Sequence, residues 1–497
     1  MSWVQWRDNW LALGVLLSVF GFAGCSGGDG LAGIEGTGSP ADPIASTQGS
    51  VTALGSIYVN GQAIETSGAE IHVNGKAAEE SDLELGMVVK VELDPETDSA
   101  IALRINHERE LLGPVEEVRE NTPLRKILVV MGRLVIVNDD SLLSGLNFEA
   151  LEAGRRVEVS GFTDAQNRLW ASRVSLASPA QRLEVEGVVT NVDAIQAHFT
   201  LGALQVDYSE SLFDGTSADL LAEGVRLRLE GGGLVAGVYR PEVIRAQPAA
   251  QLESGGTLFR EGVIRDFVTL SDWRLGELRV NAADAAISGD STRLTEDARV
   301  SVSGVIDSEG VLQARQLTLI SQGINRIRAR VDALNPEAQQ LTLLGEDYQL
   351  TALSNFENRR PDALRFNNLG QLSPGDWVEV HSLSDGNGQR VRRLKRLGVG
   401  AFEVELRGPV TAIDVPGQSL RLLGVDVLVE NSEALAFLRQ LTEGDLVSLS
   451  GRLTGVPPSL VTDRLNEVPG LAQLPVCVPL LTDCSEPGPS GNAQKGR

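Results

Sequence analysis

The sequence predicts an all-β protein built as a tandem array of about six small β-barrels. Three observations predict it. One pattern recurs six times at intervals of 68 to 78 residues, apolar residues within each interval alternate with a period of two, and glycine marks the corners. The pattern is Leu, two residues, Gly, two residues, then two apolar residues separated by one, often followed by a further Gly. It reads Leu83, Gly86, Val89, Val91; Leu151, Gly154, Val157, Val159, Gly161; and Leu221, Gly224, Leu227, Leu229, Gly231. It continues as Leu294, Asp297, Val300, Val302, Gly304; Leu372, Gly375, Val378, Val380; and Leu441, Gly444, Val447, Leu449, Gly451. Asp297 stands where the other units have Gly, and Asp also tolerates the left-handed backbone that a turn demands.

Each unit opens with a strand around Val51, Val115, Val188, Val263, Val331 or Val410, usually with Gly just before it. A second alternating segment follows, such as Ile57-Tyr58-Val59, Leu204-Gln205-Val206 or Leu278-Arg279-Val280. Alternation of this kind marks half-buried strands, one side chain inward and the next outward. The Leu-x-x-Gly turn then leads into the Val-x-Val strand, a polar tip such as Asp307-Ser308-Glu309-Gly310, and a last strand such as Leu169 to Val174. Five or so short strands in about 70 residues suggest a closed or nearly closed barrel. Closure removes exposed edges, and a small barrel fills with Val, Leu and Ile, which suits a chain with 4% aromatics. A core of that size is marginal alone, so neighbouring units are expected to pack end to end.

The units span 47–108, 111–178, 183–247, 257–321, 325–398 and 402–468, with a Pro-rich tail at 469–497. Residues 1–24 read as a signal peptide: Arg7 lies in a short n-region, and the apolar run Leu11 to Ala23 is too short to span a bilayer. The run ends in Phe22-Ala23-Gly24-Cys25, which resembles the lipobox of bacterial lipoproteins, with Phe22 where Leu is usual. The resemblance implies cleavage before Cys25, lipidation of Cys25 and, with Ser26 rather than Asp next, delivery to the outer membrane. The body would then lie in the periplasm or be exposed at the surface. An ordinary secretory signal cut near Ala23 is the alternative. Residues 25–46 form a Gly/Ser/Pro tether with an r.m.s. reach of about 25 Å.

The first unit runs through Gly55-Ser56-Ile57-Tyr58-Val59-Asn60-Gly61, Ile71-His72-Val73-Asn74-Gly75 and Leu83-Glu84-Leu85-Gly86-Met87-Val88-Val89. It resembles the bacterial domain of unknown function 5666, and Gly33-Ile34-Glu35-Gly36-Thr37-Gly38 resembles the leader of lipoproteins built from that repeat. Later units keep the frame but lack the second Val-Asn-Gly. The resemblance implies OB-like barrels and a cell-envelope address, with no active-site residues to carry over.

A net charge of -24 argues against nucleic acid, because binding phosphate depends on Lys and Arg releasing counterions. His72, His107, His198 and His381 fall in no equivalent slots and no metal-ligand spacing, so they read as ordinary solvent-facing residues. Ser384-Asp385-Gly386-Asn387-Gly388 shares the Asp/Asn/Gly content of a calcium loop, but the equivalent positions of other units are plain hairpin tips. Gly231-Gly232-Gly233 lacks the following helix and the Lys that a phosphate loop needs, and also reads as a hairpin. The basic cluster Arg390, Arg392, Arg393, Lys395 and Arg396 reads as a strand with a basic outer face. It either pairs with the acidic surface of a neighbouring unit or docks an anionic envelope component.

No catalytic, cofactor-binding or metal-binding residues emerge. Two functions stay open: a non-enzymatic envelope scaffold or binding protein, with an envelope protein or glycan as partner, and an envelope hydrolase or oligosaccharide-binding protein with its site between units. Scarce aromatics weaken glycan stacking, since only Trp170, Trp273 and Trp377 follow the signal segment. Cys477 and Cys484 lie close together in the tail of a secreted chain and are expected to form a disulfide, contributing on the order of 2 to 3 kcal/mol. Alkylation of the unfolded chain should leave both thiols unlabelled until a reductant is added. Labelling without reductant would rule the bridge out.

Overall fold

A computed structural model describes residues 44–468 except 55, 98, 123, 248–253, 290, 321–324, 361–365, 386–387, 399, 401 and 455–458. The signal segment, most of the tether and the tail, with Cys25, Cys477 and Cys484, lie outside these residues.

Repeat 2 shows the plan. Its five main strands are Leu111–Asn121, Arg125–Val130, Arg133–Asn138, Arg156–Thr163 and Leu169–Leu176. The first three form an antiparallel meander, the third pairs in parallel with the fifth, the fifth with the fourth, and the fourth returns to the first. This closed five-strand circuit is a barrel of the OB kind. Repeat 4 repeats it with Thr257–Thr269, Asp272–Leu275, Leu278–Asn281, Arg299–Ile306 and Val311–Leu319. Repeat 5 does so with Asn325–Asn335, Gln340–Leu343, Glu346–Asn358, Trp377–Asp385 and Gly388–Arg396. Repeat 6 uses Val404–Asp414, Ser419–Leu422, Val425–Val429, Leu446–Thr454 and Ser459–Glu467.

Repeats 1 and 3 vary the plan. In repeat 3 Pro241 and Glu242 split the last strand into Val238–Arg240 and Val243–Ala246, since proline has no N–H to offer a ladder. Repeat 1 opens with Ile44–Ala53 and closes with Ala102–His107, and a single bridge from Glu65 to Ile101 completes the circuit. Between the third and fourth strands repeat 6 carries the one α-helix among the described residues, Ser432–Leu438, capped where Asn431 accepts the Glu433 N–H at 2.7 Å.

The six Leu-x-x-Gly slots have one geometry. Gly86, Gly154, Gly224, Asp297, Gly375 and Gly444 all take the left-handed backbone, with φ from 66° at Asp297 to 96° at Gly444. Each slot N–H donates to a first-strand carbonyl: Gly86 to Val51 (2.8 Å), Gly154 to Val115 (2.8 Å), Gly224 to Val189 (2.9 Å), Asp297 to Ile264 (3.1 Å), Gly375 to Val331 (2.7 Å) and Gly444 to Val410 (2.8 Å). In repeats 3 and 4 the acceptor lies one residue beyond Val188 and Val263, around which the opening strands are centred in the sequence. A shift of one residue changes faces in a strand: Val189 and Ile264 fill the barrels, while Val263 packs outside with Val88 and Phe162. Two residues before each acceptor stands Gly49, Gly113, Gly187, Gly262, Ala329 or Gly408. There the second-to-third-strand hairpin folds over the first strand, so a Cβ at Gly408 would come within 2.6 Å of the Leu423 side chain.

The expectation of end-to-end packing between sequence neighbours is corrected. The repeats join in pairs through their first strands: 2 with 3 and 5 with 6 antiparallel, and 1 with 4 in parallel, across the whole of repeats 2 and 3. The reason lies in strand length. Each first strand has 10 to 13 residues, and its C-terminal half pairs with the hairpin of its own barrel. The N-terminal half would be a bare edge, and the partner's first strand covers it. The result is three continuous sheets of 13, 14 and 10 strands.

At Gly444 a Cβ would meet nothing within 4 Å, so Gly444→Ala isolates the backbone cost. It should lower stability by about 1 to 2 kcal/mol in urea titration without changing the m-value. Gly233→Ala, an equally open site without positive φ, should stay within about 0.5 kcal/mol of the parent.

Candidate functional site at the repeat seams

Where first strands pair, outward side chains of four adjacent strands share one face. In repeats 5 and 6 the register aligns Arg393, His381, Arg326 and Arg407 in one row, and Lys395, Glu379, Arg328 and Glu405 in another. Glu379 accepts from Lys395 Nζ (3.1 Å), Arg328 Nη2 (2.8 Å) and His381 Nε2 (3.1 Å), with Arg326 Nη2 at 3.3 Å. Burial alone would raise its pKa; the His381 hydrogen bond and the surrounding cations outweigh burial and hold the carboxyl well below the usual range.

A turn of repeat 2 is seated on this face. Asp139 pairs with Arg407, Arg393 Nη2 donates to the Ser141 carbonyl at 2.9 Å, and Arg359 Nη2 donates to that of Leu143 at 3.4 Å. The basic run 390–396 is thus a docking strand rather than an exposed face. Arg393 holds the neighbour, Lys395 pairs with Glu379 and Glu357, Arg396 with Asp376, and Arg392 donates to the Leu353 carbonyl at 3.4 Å. Repeat 2 uses its own fifth strand the same way. Arg173, opposite Ser160 as Arg393 is opposite His381, reaches the Leu85 carbonyl (3.0 Å) and Glu84 in the Leu-x-x-Gly turn of repeat 1. Beside it Ser172 Oγ donates to the Gly86 carbonyl at 2.7 Å.

The other seams follow the same chemistry. Between repeats 2 and 3, Arg109 bridges Glu158 (2.9 Å) and Glu184 (3.0 Å), while Arg228 binds Glu184, Glu186 (3.2 Å) and Glu108 (2.6 Å). Nearby Glu110 takes the Gly161 N–H at 3.1 Å, and burial followed by repulsion from Glu186 pushes its carboxyl up to about 8. Where repeats 1 and 4 join, Glu261 accepts from Ser50 N (2.7 Å), Ser50 Oγ (2.8 Å) and Arg299 Nε (2.8 Å). Repeat 2 reaches repeat 4 through Arg168, held between Asp164 (2.6 Å) and Asp297, so the odd residue of the fourth slot is also an interface residue. Arg299 lies over the Phe162 ring at 5.0 Å.

The histidines divide. His72 and His198 lie at least partly in solvent, as expected, whereas His107 and His381 are 1% and 3% exposed, correcting the expectation for those two. His381 stands on an outer strand face that repeat 2 covers, whereas His107, opposite the core residue Val89, lies on the inward side at the end of its strand; alternation alone reveals neither burial. Gly231 and Gly232 take positive φ and join the strands Arg226–Glu230 and Gly233–Val235, which pair with different strands and not with each other; the expected hairpin is corrected, the turn lying beyond it, where Val235 pairs with Val238. Asp385 and Gly388 pair across the other Gly-rich tip.

Glu379 and His381 bring a carboxylate and an imidazole together at an inter-repeat seam, but in a filled interior with the carboxylate shared among four basic groups. A cleft of about 380 Å³ in repeat 3 is lined by Asp207, Glu210, Arg240 and Glu242, where Arg240 Nε pairs with Asp207 at 3.0 Å. Among the described residues no group of three or more His, Cys, Asp or Glu is placed to hold a metal ion, and no helix is long and apolar enough to cross a membrane.

The Arg407–Asp139 pair is largely buried, so Arg407→Ala should lower stability by about 2 to 4 kcal/mol in urea titration, more than truncation of the exposed Arg421, which should cost under about 1 kcal/mol. A double-mutant cycle with Asp139→Asn should show coupling; additive effects would separate repeat 2 from the 5–6 face.

No curated protein matches the chain. The family model described as a domain of unknown function (DUF5666) matches residues 48–106, 113–175 and 328–391, within repeats 1, 2 and 5, and repeats 3, 4 and 6 have the same left-handed slot.

Proposed function

We propose that the protein is a cell-envelope lipoprotein acting as a non-enzymatic scaffold or binding protein, anchored by lipid on Cys25 in the outer membrane with its body in the periplasm. One observation carries the reading: the buried charged groups at the seams are matched to one another. Arg407 with Asp139, Arg173 with Glu84 and Arg168 with Asp297 tie repeats together, and Glu261, paired with Arg299 of its own repeat, takes Ser50 of repeat 1, rather than surrounding a space for a reacting atom. Six barrels so joined present an acidic surface. OB-type barrels offer the face of their second and third strands, with the adjoining loops, to extended ligands. Here a glycan or an envelope protein is the fitting class, because a net charge of -24 repels nucleic acid.

The anchor is tested by Cys25→Ser. The variant should lose incorporation of labelled palmitate and move from the membrane to the soluble envelope fraction; retained labelling would sink the lipoprotein reading. Cross-linked envelope fractions should yield a protein or glycan enriched on the intact lipoprotein over a control carrying the same signal peptide and anchor. With no enrichment, the binding role falls and a purely structural one is left.

A further inference from the structure

Repeat 2 meets repeats 1 and 5 at seams that each bury one imidazole. At the end of repeat 1's last strand, His107 Nδ1 donates to the Val88 carbonyl at 2.9 Å, which fixes the proton on that nitrogen. Its Nε2 is buried without a hydrogen-bond partner. Arg109, Arg173 and Arg228 face the ring, and their carboxylate partners are Glu84, Glu108, Glu158, Glu184 and Glu186. His381 is the mirror case: Nε2 donates to Glu379, and Nδ1 is buried without a partner.

The surroundings of His381 are equally crowded with cations. Arg393 and Lys395 come from the fifth strand, Arg326 and Arg328 from the first, Glu405 and Arg407 from repeat 6, and Glu357 from the third strand. Asp139 and Ser141 of the repeat 2 turn hold the two ends of the row in which His381 lies, with Asp140 between them. Adjacent strands lie about 4.7 to 4.9 Å apart, so His381 has a guanidinium-bearing strand on either side. Its one carboxylate contact, Glu379, already serves Lys395, Arg326 and Arg328.

A second proton on either ring would create a buried N–H with no acceptor and a new cation among arginines. Opening the seam removes both penalties, because water then accepts the bond and screens the charge. We propose that acidification opens the seams that repeat 2 makes with repeats 1 and 5, His107 and His381 taking up protons as they become exposed. Opening would also unmask the row Arg393, His381, Arg326 and Arg407, a basic strip on an otherwise acidic body.

The sign follows from the shifts. Burial, before the neighbouring arginines, lowers both imidazoles to about 4, whereas the exposed ring titrates near 6.5. A base held below its ordinary value supports the closed state fully above about pH 6.5 and loses that support as the pH falls toward 4. Glu379, held ionised, acts only at lower pH, as protons begin to bind exposed carboxylates near 4.5. Glu110 works in the opposite sense and is linked to the His107 surroundings through Glu186 and Arg228, and Glu184, also raised by burial, acts with it. Within the interval from about 4.5 to 6.5 the two histidines are therefore the groups that favour opening, His107 against the opposing pull of Glu110 and Glu184.

Hydrogen exchange of the full chain at about pH 7 and about pH 5, corrected for intrinsic rates, tests this. Seam segments 84–90, 138–145 and 390–397 should lose protection about tenfold at the lower pH relative to the barrel segment 198–207, and the double variant H107Q/H381Q should not show the loss. Unchanged protection at the seams, or an identical acid response in the variant, would overturn the proposal. Should the variant not fold, an NMR titration of the two rings in the parent chain decides. Protonation coupled to lost seam protection supports the proposal, and protonation near 6.5 with protection intact overturns it.

Discussion

The hydrogen bond from the left-handed slot to the first strand is the constraint on which the rest of the molecule depends. In every repeat the slot N–H closes onto a first-strand carbonyl while the N–H of that same strand residue is taken by the carbonyl just after the slot, as Val115 is by Arg155 and Val410 by Asp445. That reciprocal pair fixes where the fourth strand starts and hence which of its residues point inward. A positive φ is required to turn the chain so sharply, which explains five glycines and one aspartate at the six positions. The short 3-10 turns that precede it, such as Glu80–Asp82 and Leu369–Gln371, deliver the motif leucine to the barrel mouth.

Once the fourth strand is set on one side of the first strand, the other side has two fates along its length. The C-terminal half holds the hairpin of the same barrel; the N-terminal half pairs with another repeat. The glycine two residues before the slot acceptor lies at the change-over, where the hairpin crosses closely enough that a side chain would collide, as at Gly262 with Leu275 (2.9 Å). Pairing first strand to first strand also lays the outward residues of both barrels on one broad face. That face is too polar to be hidden by apolar packing, and it is covered instead by matched charges and carbonyls from a third repeat. Arg393 on Ser141 and Arg173 on Leu85 are two uses of one strand position. The burial of His381 is a by-product of this covering: a residue on the outer face of a barrel becomes interior once a neighbouring repeat is seated on it.

Much of this was legible in the sequence. The repeat count, the all-β character, the corner glycines and the tolerance of Asp297 follow from spacing and alternation, because backbone sterics and the two-residue period of a strand are local properties. Register by one residue was not: Val188 and Val263 have the right composition for the slot partner, but which of two adjacent apolar residues faces the barrel depends on what covers the outside. The basic run at 390–396 could be recognised as a docking strand in outline, since five cations in an acidic chain need counter-charges, yet nothing local indicates that Ser141 and Asp139 are near it. The seam role of Asp164, fully buried with Arg168 and Trp170 on its carboxylate, carried no signal beyond that of a hairpin tip.

By itself the sequence determined six barrels, their internal strand order in outline, and the acidic balance that excludes nucleic acid. Only the tertiary structure decided that repeat 1 pairs with repeat 4, that repeat 2 is held against repeats 1, 4, 5 and 6, and that His107 and His381 are interior. The physical reason is the range of the forces. Turns and alternation are set by a few adjacent residues, whereas the choice of partner edge and the matching of buried charges are settled among all repeats at once, by whichever arrangement leaves the fewest edges bare and the fewest charges without partners.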